Sequence, residues 1–414
     1  MDKLDMVIRE LNGTASPKDA PIYYPSYPGF EKVFRCPIIA PQSALKIAVP
    51  EACLEAAKAQ QGDRLIDLLL EALPTLLRVR SSFHLLLIYL PREWNKSFEY
   101  EGFHLHDKLK ARLAPHNIPV QIVTDKYFTR TCRAQALWGV SVAIYAKAGG
   151  IPWKLADLDK DEAYIGLSYS MKQGPTGGEY TTCCSQVFDP DGTGFQFVAY
   201  DTRAARTDRR GNPFLSYQEM QSVLSRSLNL YQRNHGGRIP KKIYVHKISG
   251  FTEDEIQGAL DAFGGKTELE LVQIIKSTNW YGLKVEAPKR PGEPGLPAKY
   301  PVDRGVYQPI TINECLLWTQ GSVMGVNQQS ANQPVFKDAP LKAIPTPILL
   351  RRFLGDGGWH ATCASVLALT KVDWNNNTLH KNLPVTLVYS DKFAQVVKYA
   401  PDLTDEVYDY RFFM

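Results

Sequence analysis

The chain has 414 residues, of which 44% are hydrophobic and 22% charged, with a formal net charge of +5. That length allows two ordinary domains with cores large enough to need neither disulfides nor structural metals. The mild positive charge permits a nucleic-acid partner without requiring one, and the absence of any apolar run of roughly 18 residues excludes an ordinary membrane-spanning helix.

The opening segment MDKLDMVIRELNG carries acidic residues and lacks the apolar stretch of a signal peptide. Seven cysteines, an odd number, show no metal-ligand spacing; Cys183 and Cys184 are adjacent and the others lie far apart. This pattern fits a reduced cytoplasmic protein with buried thiols.

Residues 1–44 read as a strand-and-loop extension, with Pro21, Pro25 and Pro28 set among aromatics. From Leu45 the pattern alternates between strand and helix. ALKIAVP reads as a short strand, CLEAAKAQQGDRLIDLLLEALPTLL as helix, and FHLLLIYLP as a buried parallel strand. FHLHDKLKARLAPH is helical, IPVQIVT is a strand, and RAQALWGVSVAIYAKAGG is a helix stopped by a glycine pair. This alternation predicts a small Rossmann-like domain over 45–155 with a parallel sheet.

The second domain, 156–414, opens with three strands, AYIGLSYS, CCSQVFDP and GFQFVAYD. The helix SYQEMQSVLSRSLNLYQRN follows, then the strand KKIYVHKI, the helix TEDEIQGALDAF and the strand LELVQIIK. A strand meander followed by α/β units predicts an RNase H-like fold. The stretch 288–301 is dense in proline and glycine and reads as loop, with strand-like segments resuming after it.

Four polar residues of the first domain form the candidate site. His106 and Lys110 lie one helical turn apart and share a face. Gln121 sits in the following strand and Lys147 in the last turn of the next helix. His104 and Lys108 offer the same spacing two residues away. One at a time, these are a surface histidine, solvated lysines and an edge-strand amide. Together, an imidazolium, two ammonium groups and a carboxamide suit a phosphate monoester, whose oxygens call for converging cationic donors. Ligands of open α/β sheets bind outside the carboxyl ends of the strands, which is where the site is expected.

The order HxxxK, IPVQ, AKAGGIPW and then the strand YIGLS resembles the MID domain of Argonaute proteins running into their PIWI domain. PTPILLRRFLGDGG and LTKVDWNNNTLHKNLPVTLVYSDKFAQVV resemble late PIWI segments, and the tail RFFM resembles an Argonaute terminus, so the resemblance covers about 45–414. It implies that His106, Lys110, Gln121 and Lys147 bind a guide's 5′ phosphate. It also implies that the Met414 carboxylate holds a divalent cation, Mg²⁺, against the guide.

Length points to the short prokaryotic type, whose guide is RNA and whose target is single-stranded DNA. That type pairs with a separate protein carrying an APAZ region and a TIR, sirtuin-like or nuclease effector, in defence against plasmids or phages. Slicing members hold two metal ions with clustered carboxylates. Here the first position is Ser168 and the third Lys247, with Asp391 at the fourth, so the expectation is guide binding without cleavage. Arg203, Arg206, Arg209 and Arg210 in DTRAARTDRR, with Arg351 and Arg352, are candidates for nucleic-acid backbone contacts. The alternatives are an active RNase H-like guided nuclease using Asp391 with other acids such as Asp201, or an α/β protein binding a small phosphate ligand. The lack of a GxxxxGK[ST] loop weighs against the last.

Overall fold

The computed structural model describes residues 2–17, 25–156, 161–173, 179–189, 196–202, 206–209, 212–288, 290–298, 302–321, 344–375, 381–399 and 407–414. The chain divides into two compact units: Met1–Trp153 with Trp374–Asn377 and Gln395–Met414, and Lys154–Asp373 with Thr378–Ala394. Among the described residues, no helix is long and apolar enough to cross a membrane.

The first unit begins with a helix, α1 (Lys3–Asn12), where the sequence suggested strand and loop. Asp2 caps it by accepting from the Leu4 amide at 3.1 Å, and Val7, Ile8 and Leu11 form its buried stripe. Spacing of three and four between apolar residues outweighs the breakers that follow at Asn12 and Gly13. With α2 (Phe30–Phe34), this segment buries Val7, Leu11, Tyr27 and Phe30 against Val123, Tyr127, Leu137 and Ile144. Residues 1–44 are therefore part of this core and not an appendage to it.

ALKIAVP forms no strand. Ser43–Leu45 is a short 3-10 turn, and Lys46 beyond it is extended at φ −98° and ψ 114°. The local preference is met, but a strand also needs an edge that accepts it. The single long helix expected next is broken into α3 (Ala52–Lys58), α4 (Gly62–Leu70) and α5 (Leu73–Arg78). Left-handed Gln60 and Pro74 make the breaks.

β1 (Leu86–Leu90) then leads through the short pair β2 (Glu99–Tyr100) and β3 (Phe103–His104) into α6 (Leu105–Leu113). β4 (Val120–Thr124) lies parallel to β1, Leu86 facing Val120 and Leu90 facing Thr124. The short α7 (Asp125–Thr129) and the long α8 (Arg133–Lys147) complete this part.

In the second unit β5 (Glu162–Gln173), β6 (Glu179–Phe188) and β7 (Gln196–Thr202) form an antiparallel meander. The small pair β8 (Arg206–Thr207) and β9 (Pro213–Phe214) leads into α9 (Tyr217–Asn234). β10 (Lys242–Lys247) lies parallel to β5 and to β11 (Glu268–Ile275), with α10 (Glu253–Phe263) between β10 and β11 in sequence. After the short pair β12 (Val285–Glu286) and β13 (Leu296–Pro297) come β14 (Tyr307–Thr311), β15 (Glu314–Leu317) and β16 (Ile348–Leu354). The sheet order is β14-β15-β16-β11-β10-β5-β6-β7.

Capping boxes start both α9, at Ser216 and Glu219, and α10, at Thr252 and Glu255. Their apolar stripes cover one sheet face, where Met220, Val223, Ala259 and Phe263 meet Ile165, Val245 and Leu271. The other face carries α11 (Trp359–Leu369) and the start of α12 (Val385–Val397), with Trp359, Val366 and Leu387 against Val272, Ile274 and Leu350.

Gly166, opposite His246 in β10, lets α12 come close to β5. A Cβ there would collide with the carbonyl oxygen of Thr386. Gly166→Ala should therefore destabilise the chain by about 1–3 kcal/mol in urea unfolding. Unchanged stability would mean that α12 can shift freely away from the strand.

Candidate functional site

The site is built on α6, β4 and α8 of the first unit. Leu105, Leu109 and Leu113 anchor α6 in the interior, which fixes the facing of its polar residues. Lys110 is only 3% exposed, and its Nζ donates to the carbonyl oxygen of Phe413 at 3.0 Å. Lys147, the last residue of α8, is 2% exposed, and its Nζ donates to Gln121 Oε1 at 2.7 Å. Gln121 Nε2 donates in turn to the carbonyl of Ile122 at 2.8 Å. Two ammonium groups are thus held in a protein interior, where charge is costly unless oxygens surround it.

His106 shares this environment. Its Nδ1 is 3.3 Å from Asp107 Oδ1. Its pKa is pushed down to about 4, by surrounding protein first and then by the charges of Lys110 and Lys147, against the pull of Asp107. Yet 49% of its side-chain surface meets water. The imidazole therefore sits in a concave setting and is not sealed off, so the positive field of the two lysines is the firmer part of the cause. Lys108, two residues along, instead pairs with Asp63 at the surface, and His104 lies 3.7 Å from Glu99. The structure thus groups His106, Lys110, Gln121 and Lys147, and leaves the alternative pair outside.

The location within the unit differs from the expectation. Gln121 is the second residue of β4, and Lys147 ends the helix that returns from the strand's far end. The cluster therefore lies toward the amino end of β4, not outside its carboxyl end. Glycine-rich strand-to-helix turns place phosphates at carboxyl ends; the cations of this cluster come instead from helix positions that face the strand's start.

The tail singled out in the sequence is packed in and also acts as scaffolding. Tyr410 donates through its hydroxyl to the carbonyls of Ala146 and Gly150, each at 3.4 Å. Phe413 and Met414 are both 2% exposed. Arg411 lies beside Gly149 and 3.3 Å from Asp409. Its charge, after burial, also lowers the pKa of Arg80, whose guanidinium donates to the carbonyls of Phe83 and Asn117 at 2.8 and 3.0 Å. More positive charge gathers near the tail than the four named residues supply.

The proposed remnants of a nuclease centre lie in the second unit. Lys247 is fully buried, and its ammonium pairs with the Glu255 carboxylate. The rings of Phe214, Phe251 and Tyr169 lie around it at 4.8, 5.1 and 5.5 Å. Lys247 faces Leu167 across the β10–β5 ladder. Ser168, the next residue on β5, therefore points to the opposite face of the sheet. Asp391 lies on α12 and is half-buried. Among the described residues, no group of three or more His, Cys, Asp or Glu is placed to hold a metal ion.

Arg352 is not available to a nucleic-acid backbone. It is 5% exposed, donates through Nε to Glu270 at 2.9 Å and through Nη1 to the Gly357 carbonyl at 2.7 Å, and lies 4.1 Å from the Trp359 ring. On β16 adjacent residues point to opposite faces, so only one of the two arginines of LLRR can be outside. Arg351 is that one, 44% exposed and 2.8 Å from Glu314. Arg209 is exposed. Arg203, Arg210 and the side chains of Arg206 and Asp201 lie outside the described residues.

No family model matches the chain. Over 317 residues it is 23% identical to the protein argonaute of Aquifex aeolicus (strain VF5), covering 75% of this chain and 38% of that protein. Its fold is similar to Clostridium butyricum Argonaute bound to a guide DNA (5′ deoxycytidine) and a 19-mer target DNA, at a TM-score of 0.61 and 17% identity. That match covers 99% of this chain and 48% of the other. The Aquifex aeolicus Argonaute structure matches at a TM-score of 0.53 and 19% identity, over 80% of this chain and 42% of that one. The chain thus spans less than half the length of the relatives it matches. Its architecture is that of Argonaute MID and PIWI domains.

The pKa of His106 gives a stability test. A histidine whose folded pKa is depressed from 6.5 to about 4 is protonated more readily in the unfolded chain. Stability is then complete above the unfolded value and falls as pH drops from about 6.5 toward 4. Urea unfolding across this window should show a weaker pH dependence for His106→Asn than for the parent chain. Identical slopes would place His106 outside the lysines' field.

Proposed function

We propose that the chain is an Argonaute-type protein that holds a nucleic-acid guide by its 5′ phosphate and does not cut the target the guide pairs with. The observation that carries this is the grouping of His106, Gln121 and the two buried lysines, Lys110 and Lys147, on α6, β4 and α8 of the first unit. Such a grouping suits a ligand that is compact and strongly anionic. A terminal phosphate monoester is both, and an internal phosphodiester carries less charge per phosphorus.

Each residue has a part in that binding. Lys110 and Lys147 supply charge-assisted donors to the phosphate oxygens. Gln121 aims Lys147 through its carboxamide oxygen. His106 gives one neutral N–H donor, and the arriving phosphate raises its pKa, so binding below neutral pH takes up a proton. Lys110 is braced by the Phe413 carbonyl, which makes the tail part of the support.

The resemblance adds Mg²⁺ at this pocket. The protein-side donors suit it only sparsely, because cations surround the tail and no carboxylate cluster is described there. The Met414 carboxylate would be the protein's ligand, with guide phosphates and water providing the rest. By the same resemblance the guide is RNA, the target is single-stranded DNA, and the partner is an APAZ-region protein with a TIR, sirtuin-like or nuclease effector. Target recognition would switch that effector on in cytoplasmic defence against plasmids or phages. Cleavage is not expected, because Ser168 is a poor metal ligand, Lys247 faces the other side of the sheet and cannot join it in one site, and Asp391 alone cannot hold two ions.

Binding of short RNA with a 5′ phosphate or a 5′ hydroxyl separates this reading from general backbone affinity. Lys110→Met or Lys147→Met should weaken the phosphorylated guide by about 1.5–3 kcal/mol each and leave the hydroxyl form nearly unchanged. Chelating Mg²⁺ should weaken the phosphorylated form further. Equal losses for both guides would move these lysines out of a 5′ pocket, and tighter binding of a DNA guide would correct the guide class.

The chain loaded with guide and complementary DNA should leave that DNA intact with Mg²⁺ or Mn²⁺ present. Guide-directed cleavage abolished by Asp391→Asn would establish a nuclease instead.

A further inference from the structure

Five cysteines are described, all as free thiols. Two of them meet. Cys315 comes from β15 and Cys363 from the middle of α11, and their Sγ atoms are 3.7 Å apart. Both are buried, at 0% and 2% exposure, in the core between the sheet and α11. A disulfide has an S–S length of about 2.05 Å, so the two sulfurs need to approach by less than about 2 Å, within the range of a side-chain torsion adjustment.

A buried polar network beside the pair holds its geometry. The Arg352 guanidinium is at its centre, 5% exposed. It is fixed in place by Glu270 and by Thr362, the residue next to Cys363. Glu270 also accepts from the Thr362 hydroxyl at 2.6 Å, so α11 cannot rotate Cys363 away from Cys315 without breaking a buried polar network.

We infer that Cys315 and Cys363 form a redox-active pair that closes into an internal disulfide, stapling β15 to α11. In a reducing compartment the pair rests as two thiols; an oxidising one closes it. Either sulfur can be the donor toward the other, and attack from Cys315 is one of two equivalent orders of reaction. With Cys363 as the donor, the hydrogen bond holds the Cys315 pKa below the usual thiol range, with help from the Gln308 backbone and Arg352 and against burial. Cys363 is then pushed up by the same hydrogen bond and by burial, and keeps its proton.

The oxidant is a small disulfide such as oxidised glutathione. The Cys315 thiolate attacks one of its sulfurs, the oxidant's S–S bond breaks, and one glutathione leaves as a thiolate. That thiolate takes the Cys363 proton. Cys363 then attacks the Cys315 sulfur, and the second glutathione departs and is protonated by solvent. Two protein thiols are oxidised and one disulfide is reduced. Access to buried thiols requires local opening, so closure is slow in the folded chain and faster during refolding.

The staple ties together residues 315 and 363, so it removes much of the unfolded chain's freedom. The test uses the full chain, unfolded in urea and refolded in a glutathione redox buffer, with a parallel sample oxidised while folded. Peptide mapping without reductant should find the Cys315 and Cys363 peptides joined. The melting temperature should rise by about 5 °C or more and return on adding dithiothreitol. Cys315→Ser and Cys363→Ser should each lose both the joined peptide and the shift. Thiols that still alkylate fully after oxidising refolding, or that carry only glutathione, would overturn the inference. So would joining of either residue to other cysteines in preference to each other, and this outcome is readable in the parent chain even if a variant fails to fold.

Discussion

Burial of positive charge governs both units. An ammonium or guanidinium taken out of water has to be met by oxygens, or it shifts its own protonation and that of its neighbours. In the second unit the match is made by carboxylates: Lys247 has Glu255, and Arg352 has Glu270, which also lies 2.8 Å from Lys242 Nζ. In the first unit Lys110 and Lys147 donate to a main-chain carbonyl and a side-chain amide. A carboxylate balances the cation's charge, whereas a carbonyl or amide oxygen orients it. Burial first, and then the charges of Lys110 and Lys147, lower the pKa of His106 beside them.

This difference explains why lysines that look alike in the sequence do different jobs. A buried, carboxylate-paired cation adds little net stability compared with an apolar replacement, but its removal strands the partner acid. It fixes which way a strand and a helix face each other. Lys110 and Lys147, held by the Phe413 carbonyl and the Gln121 amide, instead tie α6 to the tail and α8 to β4.

Much of the site was legible because its geometry is local. A spacing of four on a predicted helix puts His106 and Lys110 on one face wherever the helix lies. Lys147 was readable from the glycines that end its helix. What supports those residues was not legible. The carbonyl that braces Lys110 belongs to Phe413, 303 residues away, and no periodicity links the two. The fate of Arg352 was hidden likewise, since LLRR shows two arginines but not which face of β16 has Glu270 waiting in β11. The N-terminal helix was missed for a different reason: the prolines after it are stronger signals than its short apolar stripe. In the fold, α/β alternation in 45–155 and the meander with following α/β units in 156–414 were both visible, because period and length carry them. The failure of ALKIAVP to pair was not, because pairing depends on a neighbouring edge and not on the segment's own preference.

The register of the second unit's sheet decides which of its residues can share a site. Lys247 and Leu167 face one way, and Ser168, one residue further along β5, faces the other. A carboxylate placed at position 247 alone would put a negative charge among Phe214, Phe251 and Tyr169, next to Glu255. Two acids confined there could not both ionise, and one would bind a proton in preference to a metal. The core around Lys247 is matched to a cation, so a metal site at this position would require changing the helix face that carries Glu255 as well as the strand.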